Sequence, residues 1–162
     1  MNSSIIRMIR LLGVLAGAFI SIASAAAQSL DGIDDRTGYL RLLSFGGYSR
    51  HNDLKALESA LDVIFSDPKL QALVIDMRLS FGGSDQLGLA IASRLATGEY
   101  LAYTKQARAD PVHRDKWTPG DPVWVQPSSR PGFRGLVVEL TGPITLSAAE
   151  IFTQALMGRT PL

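Results

Sequence analysis

Ser147 stands three residues ahead of Glu150 in Leu146-Ser147-Ala148-Ala149-Glu150-Ile151-Phe152, just beyond the Gly142-Pro143 break that ends the apolar run Leu136 to Leu140. A hydroxyl reached by strand and turn, at the head of a helix, is a place where a fold can present one reactive oxygen. The same residues also read as a capping box, Ser at N-cap and Glu at N3, and capping is the commoner role of that pattern. Double glycines at Gly46-Gly47 and Gly82-Gly83 add a second element. Glycine lets backbone N–H groups point freely into space, and such groups aimed at one point form an oxyanion hole. Together these residues could carry acyl transfer: Ser147 attacks, and the amides of Gly82 or Gly83 and of Ala148 hold the oxyanion. The dipole of the following helix favours negative charge beside Ser147. Gly82-Gly83 reads equally as a plain strand-to-helix turn capped by Ser84 or Asp85. Asp76 and Arg78, two apart on a strand, share a face and suggest a structural ion pair. His51 lies in a polar loop, Tyr48 to Asn52, and is expected to face solvent.

These residues need a scaffold, and the hydrophobic pattern supplies one. Gly38 to Phe45 reads as a first strand. Asn52 or Asp53 caps a helix with Leu54, Leu57, Leu61, Ile64 and Phe65 on one face, stopped by Asp67-Pro68. Ala72 to Met77 is a short continuous apolar run, the pattern of a strand buried on both faces. A helix through Leu87, Leu89, Ile91, Ala92 and Leu95 follows, ended by Gly98. Tyr100 to Thr104 is a strand. Lys105 to Arg134 is a loop region rich in Pro, Gly and charge, with Val123 to Val125 as an edge strand and Trp117 and Trp124 embedded. Gly135 to Leu140 is a strand and Ser147 to Met157 a helix. The order β-α-β-α-β-loop-β-α predicts an α/β core of largely parallel strands joined by right-handed crossovers. Ligands in such layers gather at the carboxyl ends of the strands, where the glycine turns and Ser147 fall.

Composition narrows the chemistry. A chain of 162 residues has room for one ordinary domain, and 46% apolar against 19% charged residues suits a packed core. A net charge of +1 argues against binding nucleic acid or an acidic membrane by electrostatics. With no cysteine, disulfides, thiolate catalysis and Cys-ligated metals are excluded, and two histidines make a His-rich zinc site improbable.

Arg7 and Arg10 precede an apolar run, Leu11 to Ala23, and Ala23-Ser24-Ala25 and Ala25-Ala26-Ala27 offer small-x-small cleavage patterns. Residues 1–27 therefore read as a cleavable export signal, residues 28–162 as the core domain, and the location as periplasmic or extracellular. The alternative is a membrane anchor, but the apolar stretch is at the short limit for a span and ends in alanines. No stable membrane insertion is expected after cleavage.

Leu73-Val74-Ile75-Asp76-Met77-Arg78 with Gly82-Gly83, then Leu136 to Leu140, then Ser147 to Phe152, resembles the tail-specific (carboxyl-terminal processing) serine peptidases, most closely their branch related to interphotoreceptor retinoid-binding protein. The resemblance implies a ClpP/crotonase-like α/β core and a peptide or protein substrate. It implies Ser147 as nucleophile, Gly82 or Gly83 and Ala148 as oxyanion amides, and no metal or organic cofactor. Two features depart from the family. An asparagine usual before the glycines is replaced at Ser80 or Phe81. The lysine base, expected after the nucleophile helix, is missing, since residues 148–162 hold neither lysine nor histidine. Lys55, Lys69, Lys105 and Lys116 precede Ser147 and match no family base position.

The reading is an exported serine-peptidase-like core, incomplete at its C-terminus, weak or inactive for want of a base. Lost strands would expose a sheet edge and favour aggregation or oligomers. One alternative is a non-catalytic module that binds a peptide or apolar ligand through the cleft and the Trp117–Trp124 loop. Another is a crotonase-like acyl-thioester enzyme, against which the export signal argues.

Overall fold

Three parallel strands with a helix after each organise the chain. The computed structural model describes residues 20–24, 36–46 and 53–159. In chain order the elements are β1 (Ile20–Ser24), β2 (Thr37–Leu42), α1 (Asp53–Phe65), β3 (Ala72–Asp76), α2 (Asp85–Leu95), β4 (Tyr100–Lys105), β5 (Asp121–Val125), β6 (Leu136–Leu140) and α3 (Ala148–Met157). The main sheet has the order β1-β2-β3-β6. β2, β3 and β6 run parallel, with Leu40 opposite Ile75 and Ile75 opposite Glu139, and β1 is antiparallel to β2. The mixed α/β architecture with mostly parallel strands is thus the one the alternation of apolar runs implies. β1 falls inside the segment read as an export leader. The remainder of that segment, together with Gly47, His51 and Asn52, lies outside the described residues.

The sheet is buried on one face. Leu40, Leu42, Leu73 and Ile75 share one buried cluster with Leu57 and Leu61 of α1, Leu87, Ile91 and Leu95 of α2, and Phe152 of α3. Alternate residues point the other way, and Tyr39 and Val74 are only half-buried. The apolar run 72–77 is therefore not buried on both faces among the described residues. α1 likewise turns Leu57, Leu61 and Phe65 inward and leaves Leu54 exposed. β4 and β5 correct a second expectation. They pair antiparallel as a separate two-stranded sheet, Leu101 opposite Trp124, rather than joining the parallel core. α2 ends earlier than Gly98, with an extended C-cap at Ala96.

One charged cluster crosses this core. The Arg94 side chain is 0% exposed, with Nε 3.5 Å from Glu58 Oε2, and its guanidinium also meets the Asp62 carboxylate. Arg130 closes the cluster on Asp62 and Glu58. The Arg130 and Arg94 guanidiniums pull Asp62 down to about 2 from an ordinary 3.8. A depressed carboxylate stabilises the fold above its unfolded pKa and ceases to do so as pH falls toward the folded value. Arg94→Ala removes a fully buried side chain, leaves two half-buried acids with Arg130 alone, and is expected to cost about 3 kcal/mol, read as a lower denaturation midpoint. The parent's stability should decline as pH drops from about 4 toward about 2, and Asp62→Asn should flatten that decline.

Candidate active site

The loop from β6 to α3 folds back on itself before it delivers Ser147. The Thr145 N–H donates to the Gly142 carbonyl at 3.0 Å, and the Gly142 N–H donates to Thr145 Oγ1 at 2.9 Å. The buried Thr145 hydroxyl in turn donates to the Met77 carbonyl at 2.8 Å. The Leu146 N–H donates to the Ser80 carbonyl at 3.0 Å, so this loop runs against the segment that leaves β3. Thr145 thus latches the loop to the end of β3. Thr145→Val deletes the latch and strands the Gly142 N–H, while the Met77 carbonyl keeps only the Ser80 N–H, at an expected cost of about 1–3 kcal/mol. Thr145→Ser keeps both bonds. Thermal melts and the rate of covalent labelling at Ser147 should both fall for the valine variant and recover with serine.

The latch leaves Ser147 at φ 56°, ψ −124°, and it is the sole non-glycine residue with positive φ among those described. Backbone of this kind costs on the order of 1–3 kcal/mol and is held in place only by its surroundings. An ordinary helix cap is extended instead. Glu150 Oε2 accepts the Ser147 N–H at 2.9 Å. The reverse contact, from the helix amide to the Ser147 hydroxyl, has the topology of a capping box without a cap hydrogen bond of ordinary geometry. The capping motif is therefore present, on a backbone that a cap does not require.

Gly82 is the other side of the site. It has φ +79°, and a Cβ placed on it would lie 2.5 Å from the Leu146 carbonyl oxygen, 2.8 Å from the Ala148 nitrogen and 2.8 Å from Ser147 Cβ. Gly82, Ser147 and Ala148 are thereby brought together. Gly83, at φ +139°, packs instead on the backbone of Phe45 and Gly46, where a Cβ would fall 2.2 Å from the Phe45 carbonyl carbon. The Phe45 N–H donates to the Gly82 carbonyl at 2.7 Å, and the Ser84 N–H donates to the Phe45 carbonyl at 2.8 Å. The first glycine turn, as far as Gly46, thus serves as a rail for the second. No backbone carbonyl of the described turns takes the N–H of Gly82, Gly83 or Ala148. Ala148 is buried at the first position of α3.

Titratable groups near these loops are engaged elsewhere. Arg78 grips Asp76 with two bonds of 2.9 Å, as the sequence suggested, and the Tyr39 hydroxyl donates to the same carboxylate. The Arg78 guanidinium holds the Asp76 carboxyl well below the usual range, with help from Tyr39. Burial and then Asp76 push the Tyr39 phenol up. Asp76 is therefore a fixed anion beneath the loops and a poor proton acceptor. Lys105 Nζ lies 2.5 Å from Asp85 Oδ2, which raises its pKa and keeps it charged. Lys116 and His113 meet Asp110 in the long loop. Among the described residues no lysine or histidine side chain is hydrogen-bonded to Ser147. No group of three His, Asp or Glu residues among them could hold a metal ion.

A groove of about 570 Å³ lies away from Ser147, between β6 and α3, lined among others by Leu136, Val137, Glu139, Thr153 and Met157. Burial raises the Glu139 carboxyl there, and the Thr153 hydroxyl donates to it at 2.8 Å. Trp117 and Trp124 are about half exposed on the β4–β5 side. The sequence reading singled out Ser147, the glycines and the Asp76–Arg78 pair. It missed Thr145, Tyr39 and the Phe45 rail, none of which has a local signature, since each acts through partners distant in the chain.

Residues 36–160 match the family model of peptidase family S41. No curated protein matches the chain. Among solved structures, the chain is similar to a candidate peptidase from Parabacteroides merdae ATCC 43184, with TM-score 0.69 and 25% identity over 85% of this chain and 39% of that one. It is similar in fold to the photosystem II D1 C-terminal processing protease, with TM-score 0.54 and 22% identity over 86% of this chain and 33% of that one. A lipoprotein from Streptococcus agalactiae gives TM-score 0.54 and 13% identity, over 79% of this chain and 44% of the other. The chain spans less than half the length of each of these structures.

Proposed function

The chain belongs to peptidase family S41, and from that premise we propose that Ser147 is the nucleophile of a serine-type peptidase domain. Its hydroxyl oxygen attacks the carbonyl carbon of a peptide bond, and the electron pair of the C=O moves onto oxygen. The N–H groups of Ala148 and of Gly82 or Gly83 hold that oxyanion. The amine leaves with a proton, and water then releases the acyl group from Ser147. The observation that carries the reading is the backbone of Ser147, strained at φ 56° and ψ −124° with Gly82 packed against it. A cap alone gives no reason for that strain.

The serine's proton has no side-chain acceptor among the described residues, so the chain by itself should react slowly. The test is a fluorophosphonate probe, with the labelled residue located by mass spectrometry. Slow labelling at Ser147, above every other serine and lost in Ser147→Ala, is the expected result. Labelling spread evenly over exposed serines would remove the proposal.

Arg7, Arg10 and the apolar run Leu11 to Ala23 support export from the cytoplasm as part of the proposal. No helix among the described residues is long and apolar enough to cross a membrane. A second reading, a module that binds peptide without cleaving it, is favoured by the absence of a base at Ser147 among the described residues. Peptide binding with no Ser147 labelling at any pH would decide for it.

A further inference from the structure

The two loops that meet at Ser147 carry unusual side chains for solvent-facing turns. Leu79 is 42% exposed, Phe81 66%, Ile144 36% and Leu146 45%. Thirteen large apolar residues are this exposed among the described residues, and four of them fall on these two loops. That concentration is more than the scattered single exposures any surface carries.

Their positions are ordered. Phe81 immediately precedes Gly82, and Leu146 immediately precedes Ser147. Leu79 and Ile144 each lie two residues further back, in the turns closed by the Ser80 N–H on the Met77 carbonyl and by the Thr145 N–H on the Gly142 carbonyl. The hydrogen bond from the Leu146 N–H to the Ser80 carbonyl holds the two loops side by side. Gly82 packs on the backbone of Leu146 and Ala148 and on Ser147 Cβ, so the loop carrying Leu79 and Phe81 and the loop carrying Ile144 and Leu146 meet at Ser147. The core does not need them: Met77, Ser80 and Thr145 are the buried members of these segments.

We infer that Leu79, Phe81, Ile144 and Leu146 form the specificity surface of this site, selecting an extended peptide with a large apolar side chain beside the bond presented to Ser147. The inference rests on Ser147 being the point of attack. A carbonyl held between the Ser147 hydroxyl and the Gly82 turn would have its neighbouring side chains beside the two loops that carry these residues. An apolar side chain would bury surface there and a charged one would lose hydration, an acidic one without a free cation in Arg78 or Lys105, which are held by Asp76 and Asp85. A peptide occupant also fits the family.

The test uses fluorescein-labelled hexapeptides of alanine with one position changed to Leu, Phe, Asp or Lys, measured by fluorescence anisotropy on the full chain. The Leu and Phe peptides should bind at least about tenfold more tightly than the Asp and Lys peptides. Phe81→Ser and Leu146→Ser, both surface changes, should each cut that preference to below about threefold with thermal melting little altered. Ser147→Ala should leave the preference intact while abolishing fluorophosphonate labelling, which separates this inference from the nucleophile assignment. Equal binding of all four peptides, no binding of any, or a preference untouched in both variants would overturn it. So would sedimentation showing that the patch instead joins two copies, with the dimer lost in Phe81→Ser.

Discussion

Gly82→Ala should reduce labelling of Ser147 by at least a hundredfold, whereas Gly83→Ala should chiefly unfold the chain. Both glycines have positive φ, +79° and +139°, where a Cβ is strained by roughly 1–2 kcal/mol before any contact is considered. The contacts then separate them. At Gly82 the new methyl would meet the Leu146 carbonyl oxygen, the Ala148 nitrogen and Ser147 Cβ, all within 2.8 Å. Those atoms belong to the Ser147 loop, so the loop must yield. A displacement near 1 Å at a reacting centre can cost about a hundredfold in rate. At Gly83 the methyl would strike Phe45 and Gly46 backbone at 2.2 to 2.4 Å. That backbone is tied in by the Phe45 to Gly82 and Ser84 to Phe45 hydrogen bonds. Overpacking against fixed backbone typically adds about 1–3 kcal/mol, so Gly83→Ala is expected to lose about 2–5 kcal/mol in all. Denaturant titration reads the second effect and probe labelling of the folded fraction reads the first. A Gly82→Ala protein labelled as fast as the parent would show that Gly82 is no part of the site.

The fold was readable because its elements carry local periodicity. Leu57, Leu61 and Phe65 declared α1, and the β-branched, apolar run around Leu73 and Ile75 declared β3, in each case within a residue or two of the observed ends. Partnership was harder to read. β4 and β5 were recognisable as strands, but nothing in Tyr100 to Thr104 says that it pairs antiparallel with Asp121–Val125 and not with the parallel sheet. The site divides the same way. Ser147 and the glycines stood out because turn and cap residues have distinctive types. What sets Ser147 apart from an ordinary cap is a pair of backbone angles, on a loop tied down by Thr145 reaching Met77, 68 residues away. A nucleophile and a capping serine occupy the same place in a sequence pattern, so only the backbone separates them. The Asp76–Arg78 pair was legible from its spacing of two. Tyr39, which completes it, comes from the neighbouring strand and leaves no trace in the local pattern.

The rate of fluorophosphonate labelling at Ser147 should rise about tenfold per pH unit from pH 7 to pH 9.5, without a plateau. A serine activated by a side-chain base gains nothing once that base is deprotonated, so its profile levels off above the pKa of the base. Among the described residues no such base touches Ser147. Asp76 is locked as an anion by Arg78, Lys105 is held protonated on Asp85, and His113 and Lys116 are turned to Asp110. Hydroxide is then the acceptor, and the rate follows its concentration. The Lys105–Asp85 pair supplies the internal control. Asp85→Asn removes the first cause of the raised Lys105 pKa, freeing a neutral amine at lower pH than in the parent. If Lys105 has no share in proton transfer, the slope in this variant stays at one and the rates coincide with the parent's. A bend near neutral pH in the parent would mean that a base reaches Ser147 after all. A bend only in Asp85→Asn would identify that base as Lys105, restrained in the native chain by its carboxylate partner.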